Sequence, residues 1–333
     1  MKYSGIGGQA VIEGIMMRNR DRYAVAVRKP DGTIAVDVQT SIPFAERYKI
    51  AGLPFIRGSF SFVESMIIGM KTLMYSASFY EEDEDEEPGP LEGWLMKVFG
   101  DRFDKVVMTG ALVIAFVMAL VIFLWLPLFL SGLLKRFIVS ETVQALLEGL
   151  LRVAIFILYI RIVSRTEDIR RTFMYHGAEH KCINCIEHGL PLEVDNVAVS
   201  SKEHKRCGTS FIIIVMMISI LFFMVIRVHH PLLRLLSRLI LMPVIAGVSY
   251  EFLRLAGRSD NPVINLLSRP GLMMQKLTTY EPDDSMIEVA IRAVEAVFDW
   301  QTYEKETFPE GPDETGKVLL TKAAERHAGE VLS

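Results

Sequence analysis

Cysteine is scarce in this chain. Cys182, Cys185 and Cys207 are the three present among 333 residues, an odd number confined to one short region. That excludes the disulfide framework of a small secreted domain and leaves metal ligands or free thiols in a reducing compartment. An extended basic stripe is also missing. With a formal net charge of −4 and a pI near 6.0, the chain offers no run of phosphate contacts, and nucleic acid is set aside as a partner. The opening MKYSGIGGQAVIEGIMMR lacks an uninterrupted apolar core, being broken by glycines, Gln9 and Glu13, so a cleaved secretory signal is not expected.

Apolar residues, by contrast, abound. They make up 51% of the chain beside 23% charged residues, so apolar and polar parts must be segregated into membrane spans and soluble segments. From Val106 to Leu134 no charge occurs, over more than the ~20 residues a helix needs to cross a bilayer. Gly208–Ile226, GTSFIIIVMMISILFFMVI, reads as a second uncharged span. Residues 143–163, interrupted by Glu148, Arg152 and Arg161, and residues 232–255, interrupted by Arg234, Arg238, Glu251 and Arg254, read as two more. Glu148 and Arg152 are four apart, so a helix stacks them as a pair, which softens their burial.

Four spans place both termini on one side together with the loop Ser164–Cys207. Arg165, Arg170, Arg171, Lys181, Lys202, Lys205 and Arg206 in that loop make it cytoplasmic by the positive-inside rule, although Lys135, Arg136, Arg227 and Arg234 count the other way. Upstream, YAVAVRKPDGTIAVDVQTS alternates apolar and polar residues about Lys29-Pro30-Asp31-Gly32, a hairpin signal. Residues 59–79 are amphipathic and rich in Met. They predict a helix that packs on the β unit or lies along the membrane surface, packing being favoured because a surface-binding helix carries more Lys and Arg.

The expected fold class is therefore a mostly α-helical polytopic membrane protein of about four transmembrane helices with a small α+β N-terminal cytoplasmic region. Its parts are the α+β region at 1–80, an acidic linker at 81–100 around EEDEDEEPGP, and a four-helix membrane region at 101–258 carrying the loop 164–207. A helical cytoplasmic tail at 259–333 closes the chain, with a capped helix from EPDDSMIEVAI and a loosely ordered final 25 or so residues.

The chemistry concentrates in YHGAEHKCINC. His176-Gly-Ala-Glu179-His180 fits H-x-x-E-H, and a helix over about 167–188, framed by Thr166-Glu-Asp and Gly189-Leu-Pro191, puts both imidazoles and the carboxylate on one face. Two such histidines can ligate one zinc while the glutamate accepts a proton from water that the metal activates. The four-span topology brings His204, Cys207 and Glu251 to the same level. Glu251 is a third, anionic ligand or a partner for Arg254 or Arg258. Two other readings stay open: a closed structural Cys3His site from Cys182-x2-Cys185 and His204-x2-Cys207, and a polar helix with free thiols and no metal.

The stretches GGQAVIEGIMMR, YHGAEHK, HKRCGTSF, SYEFLR and RPGLMMQKLTTYEPDDSMIEVAI together resemble the YqhQ-like bacterial membrane proteins, domain-of-unknown-function family 1385, from about residue 6 to 298. The resemblance implies a metal-dependent enzyme of the bacterial inner membrane. The family pattern includes the positions of His176, Glu179, His180, Arg206, Cys207 and Glu251 and does not reliably include Cys182 and Cys185, which favours the open site. Gly7-Gly8-Gln9-Ala-Val-Ile-Glu13-Gly14 also matches, either as a glycine-framed turn beside the site or as a tight β-turn.

The expectation is then a divalent metal, zinc by donor type, held by His176 and His180 with Glu251, His204 or Cys207 completing the shell. Glu179 acts as general base in hydrolysis of a peptide or lipid-linked substrate, with the lipid bilayer as partner and a homo-oligomer compatible. The competing class is a membrane scaffold, assembly factor or transporter without catalysis.

Overall fold

The computed structural model describes residues 2–80, 96–100, 103–134, 137–138, 140–226, 228, 230–259 and 261–331. The acidic stretch read as a linker lies mostly outside these residues, as do Lys135, Arg136 and Arg227.

The N-terminal region folds as an antiparallel meander in chain order, β1 (Gly7–Val11), β2 (Gly14–Asn19), β3 (Arg22–Arg28) and β4 (Ile34–Thr40). The predicted turn joins β3 to β4: the Asp31 carboxylate accepts from the Thr33 amide and hydroxyl, and Gly32 takes the left-handed φ of +83° that a side chain resists. Strand periodicity of two sends Tyr23, Val25 and Val27 to one face and Ala24 and Ala26 to the other, and both faces are covered. A short α1 (Phe44–Arg47) and a 3-10 turn lead into α2 (Arg57–Ala77), whose Ile68 and Tyr75 close the Tyr23 face.

Further along the chain follow α3 (Phe103–Leu120), a π-helical turn (Val121–Trp125), α4 (Leu126–Leu133), α5 (Glu141–Val163), α6 (Glu167–Glu187), α7 (Val194–Val199), α8 (Gly208–Val225) and α9 (Pro231–Ala256). The chain ends in α10 (Pro262–Thr278), α11 (Asp284–Glu295), α12 (Trp300–Thr307) and α13 (Glu314–Val331). Among the described residues three stretches, rather than the expected four, are long and apolar enough to cross a membrane: Val106–Leu133, Gly208–Val225 and Leu232–Ala256. The expected remaining span, α5, is a helix of suitable length whose Glu141, Glu148, Arg152 and Arg161 set it apart.

The chain divides into two compact units. One comprises 81–159 and 220–227. Within it Glu148 and Arg152 do pair, at 3.0 Å, with both side chains buried. Arg152 Nε also donates to the Phe123 carbonyl at 3.2 Å. Pro127 stands four residues after Phe123 and has no N–H to donate to this carbonyl in the α-helical pattern, and the guanidinium supplies a donor there.

The other unit comprises 1–80, 160–219 and 228–333. Its core forms where Ile15, Met17, Ala24 and Ala26 meet Tyr175, Ala178 and Cys182 of α6 and Ile287, Ala290 and Val294 of α11. The C-terminal residues are therefore part of the core that holds the sheet. The closing residues, expected to be loosely ordered, form α13, tied down by Arg326 to Asp284 at 2.6 Å and by the buried Ala323.

Candidate metal centre

Helix α6 carries the H-x-x-E-H motif, and its limits follow from local chemistry. Glu167 and Asp168 lie in the first turn, where carboxylates favour the positive helix end. The last turn closes when the Gly189 amide donates to Ile186 and the Leu190 amide to Cys185, with Gly189 at φ +78°.

Both histidines are held from behind by backbone carbonyls. Nδ1 of His176 lies 2.8 Å from the Thr278 oxygen and Nδ1 of His180 lies 2.7 Å from the Lys202 oxygen. A carbonyl only accepts, so each Nδ1 carries the proton and each Nε2 is left with its lone pair or second proton facing forward. Nε2 of His176 is 3.1 Å from Cys207 Sγ. The rings are 4.4 Å apart, and one donor atom each from His176, His180 and Cys207 fall within 4.8 Å of one another. Cys207 immediately precedes α8, where its sulfur accepts from the Thr209 amide at 3.4 Å. His180 and Cys207 are buried and His176 is half-buried.

Burial alone would raise the Cys207 thiol, but His176 and His180 outweigh it and hold the thiol well below its usual range. Burial alone would lower His176, yet the facing sulfur raises its ring to about 9. Thiolate and anchored imidazoles are the donors that divalent zinc prefers, and carbonyls behind each Nδ1 are the outer partners such ligands need, so the residues fit a metal of this kind.

Glu179 projects from α6 between the two histidines in sequence. It is buried, and desolvation raises its carboxyl against the pull of His180 and His176. The carboxylate accepts from the Gly8 amide. A Cβ on Gly8 would stand 2.6 Å from the Met16 carbonyl and 3.0 Å from Glu179 Cγ, so only glycine lets β1 come this close. At the other end of the motif Glu13, at φ 47°, receives Arg171 and the Tyr175 hydroxyl, the latter at 3.2 Å. The glycine-framed segment is thus both a tight turn and the strand that seats Glu179.

The other expected ligands stand elsewhere. Glu251 accepts from Arg57 Nε at 2.7 Å and from the Phe55 amide at 3.2 Å, so its close partner is Arg57 rather than Arg254 or Arg258. His204 is buried with Nε2 3.5 Å from a Glu187 oxygen and 3.2 Å from Arg206. Burial and the neighbouring Arg206 keep its ring below the usual histidine range. Glu187 is fully buried; burial would raise it, but His204 and Arg206 bring it to about 2. Ser4 donates to the same carboxylate through its amide and hydroxyl. Cys182 and Cys185 point into the core among Ile183, Leu190 and Val197, and burial raises both thiols, so the closed Cys3His arrangement does not form.

Sequence reasoning missed Gln275. It is fully buried, accepts from the His204 amide at 2.8 Å, and donates to the His204 carbonyl at 2.6 Å and to Ser210 at 2.8 Å. It thereby fixes the segment that delivers Cys207. Only its place inside RPGLMMQKLTTYEPDDS marked it. The segment that holds His176 also walls a cavity of about 550 Å³, lined by Ser164, Arg165, Arg170, Met174, Tyr280 and Glu281. Glu281 is neutralised by Lys181 at 2.5 Å and Lys202 at 3.2 Å, so the two arginines leave the cavity cationic.

Fold and site together define a membrane protein with three apolar helices, a sheet-and-helix polar unit and a His-His-Cys group beside a buried glutamate. The chain belongs to the family described as Protein of unknown function (DUF1385), whose model matches residues 53–300. It is similar to the "Uncharacterized protein YqhQ" of Bacillus subtilis (strain 168), at 36% identity over 292 residues that cover 86% of this chain and 90% of that protein. No solved structure matches.

Proposed function

We propose that this protein is a metal-dependent hydrolase of the bacterial inner membrane, with His176, His180 and Cys207 as ligands and Glu179 as the proton-transferring group. The observation that carries this reading is the convergence of three donors, two of them oriented through Nδ1 by backbone carbonyls. A divalent cation there supplies Lewis-acid polarisation of a substrate oxygen and acidifies water. Three donors converge here, the number that a catalytic zinc site takes from the protein, whereas a closed structural site takes four. Glu179, raised by burial, is poised to accept a proton and return it to the leaving group. The cationic cavity beside the His176 segment favours a substrate bearing negative charge, which a lipid-linked phosphate or an acidic peptide supplies. The positive loop 164–207 supports a cytoplasmic site, and the internally paired Glu148 and Arg152 support α5 as a fourth span.

A second reading rests on the 3.1 Å contact itself: a thiolate at a helix start beside an imidazolium is also a nucleophile with its base. Elemental analysis of protein purified without added metal separates them. One equivalent of zinc-class metal, lost in His176→Ala and Cys207→Ser and kept in Cys182→Ser, Cys185→Ser and Glu179→Gln, supports the metal centre; no metal in any preparation, with alkylation of Cys207 at neutral pH, supports the thiol. Glu179→Gln should retain the metal and lose hydrolysis of a screened substrate set. Loss of metal in Glu179→Gln would make Glu179 a ligand and end its assignment as base.

A further inference from the structure

Helix α2 is built inside out. Its buried positions are Gly58, Glu64, Ile68, Gly69, Thr72 and Ser76, a face that is polar or small at all but one place. Its exposed positions include Phe62, Val63, Met66, Ile67, Met70 and Met74. Thr72 and Ser76 are 2% and 0% exposed while Met66 and Ile67 are 59% and 45% exposed, the reverse of a helix that packs its apolar stripe on a core in water. The apolar set recurs at 63, 66, 67, 70 and 74, a continuous stripe, and the loop ahead extends it through the exposed Ile50, Leu53 and Phe55. Contiguous exposed apolar surface of this kind marks an interaction face.

The occupant follows from what α2 touches. Its first turn packs on the middle of α9, within the apolar stretch Leu232–Ala256. Ser59 donates to the Pro243 carbonyl at 2.8 Å, and a Cβ on Gly58 would stand 2.5 Å from Tyr250 Cβ. Gly247 in turn receives the Phe55 carbonyl. Close approach through small residues with a hydroxyl-to-carbonyl bond is how helices pack in lipid. The non-helical backbone at Phe55 is covered on the protein side by Glu251, as backbone at membrane depth requires. Met242 and Val244, on either side of the Pro243 that receives Ser59, are likewise exposed. On its other face α2 meets the sheet through Ile68 and Tyr75 and through polar contacts, Arg18 to Glu64 at 2.8 Å and the Ile12 amide to Ser76 Oγ at 3.2 Å.

We propose that α2 and the loop Ile50–Ile56 form a bilayer-embedded element that enters the membrane beside α9 without crossing it, acyl chains covering the Phe62, Met66, Met70 and Met74 stripe. The inference is independent of what the α6 cluster holds. It explains why α2 carries few Lys or Arg: the polar face is occupied by the sheet, so no basic face remains for headgroups. It also gives Glu251 and Arg57 a role as an ion pair satisfied at membrane depth.

The test is spin labelling of the full chain reconstituted in phosphatidylcholine and phosphatidylglycerol vesicles, with Met66→Cys and Met70→Cys on α2 and Leu53→Cys in the loop ahead of it. Gln39→Cys on the exposed sheet edge and Phe116→Cys in the first span serve as references. The proposal expects collision with oxygen to exceed collision with a water-soluble nickel chelate at the α2 and loop positions, as at residue 116 and opposite to residue 39. Ready access to the nickel chelate would place the stripe in water and overturn it. Protection from both reagents would mean that a protein surface, such as a second copy, covers the stripe, and would overturn it equally. All substituted positions are exposed, so the fold should survive, which near-native thermal melting of each variant checks.

Discussion

His176 Nε2 faces Cys207 Sγ at 3.1 Å although the two residues lie thirty-one apart in the chain, and the contact exists because the Thr278 carbonyl fixes the far side of the imidazole. An imidazolium and a thiolate at this distance stabilise one another's charge, which raises His176 to about 9 while lowering Cys207.

For the proposed metal centre, that pair predicts a pH dependence of uptake. Below about 9 His176 carries a proton that a cation must displace, so apparent affinity for zinc should rise about tenfold per pH unit from neutrality toward 9 and then level. Competition with a chromophoric chelator across this range measures it. For the fold without metal the sign is the opposite: a raised histidine pKa stabilises it fully below the ordinary value, and that contribution drains away as pH climbs through about 9.

Gly177 offers a second measurement in which two effects oppose each other. Alanine gains about 1 kcal/mol of helix propensity over glycine in a helix interior. A Cβ here, however, would collide with the Tyr280 carbonyl oxygen, backbone that cannot rotate away, and overpacking of this kind costs about 1–3 kcal/mol. Gly177→Ala should therefore lower the melting temperature and, by pushing the segment that holds His176, weaken retention of the proposed metal. A melting temperature equal to or above that of the unsubstituted protein would show that the segment yields freely.

Glu187 joins the N-terminus, α6 and the Cys207 segment through Ser4, His204 and Arg206. Glu187→Gln removes the carboxylate partner of the half-buried Arg206, and should cost about 3 kcal/mol, the low end for a buried pair, in detergent-solubilised unfolding. The carboxyl titrates near 2 in the folded protein, below its unfolded value of about 4.3, so its stabilisation is complete above that value and is lost as pH falls toward 2. The variant should lack this acid-side slope. An unchanged slope would assign the acid sensitivity to other carboxylates.

Much of the site could be read in linear order because a helix converts spacing into direction. His176, Glu179 and His180 share a face of α6 by their i, i+3, i+4 spacing, and the turn at Asp31-Gly32 follows from the left-handed backbone that glycine accepts. Charge decided less well. Glu251 near the end of an apolar helix reads equally as a ligand or as a partner for Arg254 or Arg258, and its close partner is Arg57, 194 residues upstream. The same limit hid Gln275, whose amide satisfies a donor and acceptors from a segment seventy residues away.

By itself the sequence determined what periodicity and local conformation control: the apolar helices, the meander with its glycine turn, and the facing of the H-x-x-E-H side chains. Only the tertiary structure decided which partners meet. It brought Cys207, rather than Glu251, to the two histidines, paired His204 with Glu187, sent Cys182 and Cys185 into the core, and turned the apolar stripe of α2 outward. The reason is that a long-range contact depends on which faces remain after all others have packed, a property of the assembled fold that no local spacing records.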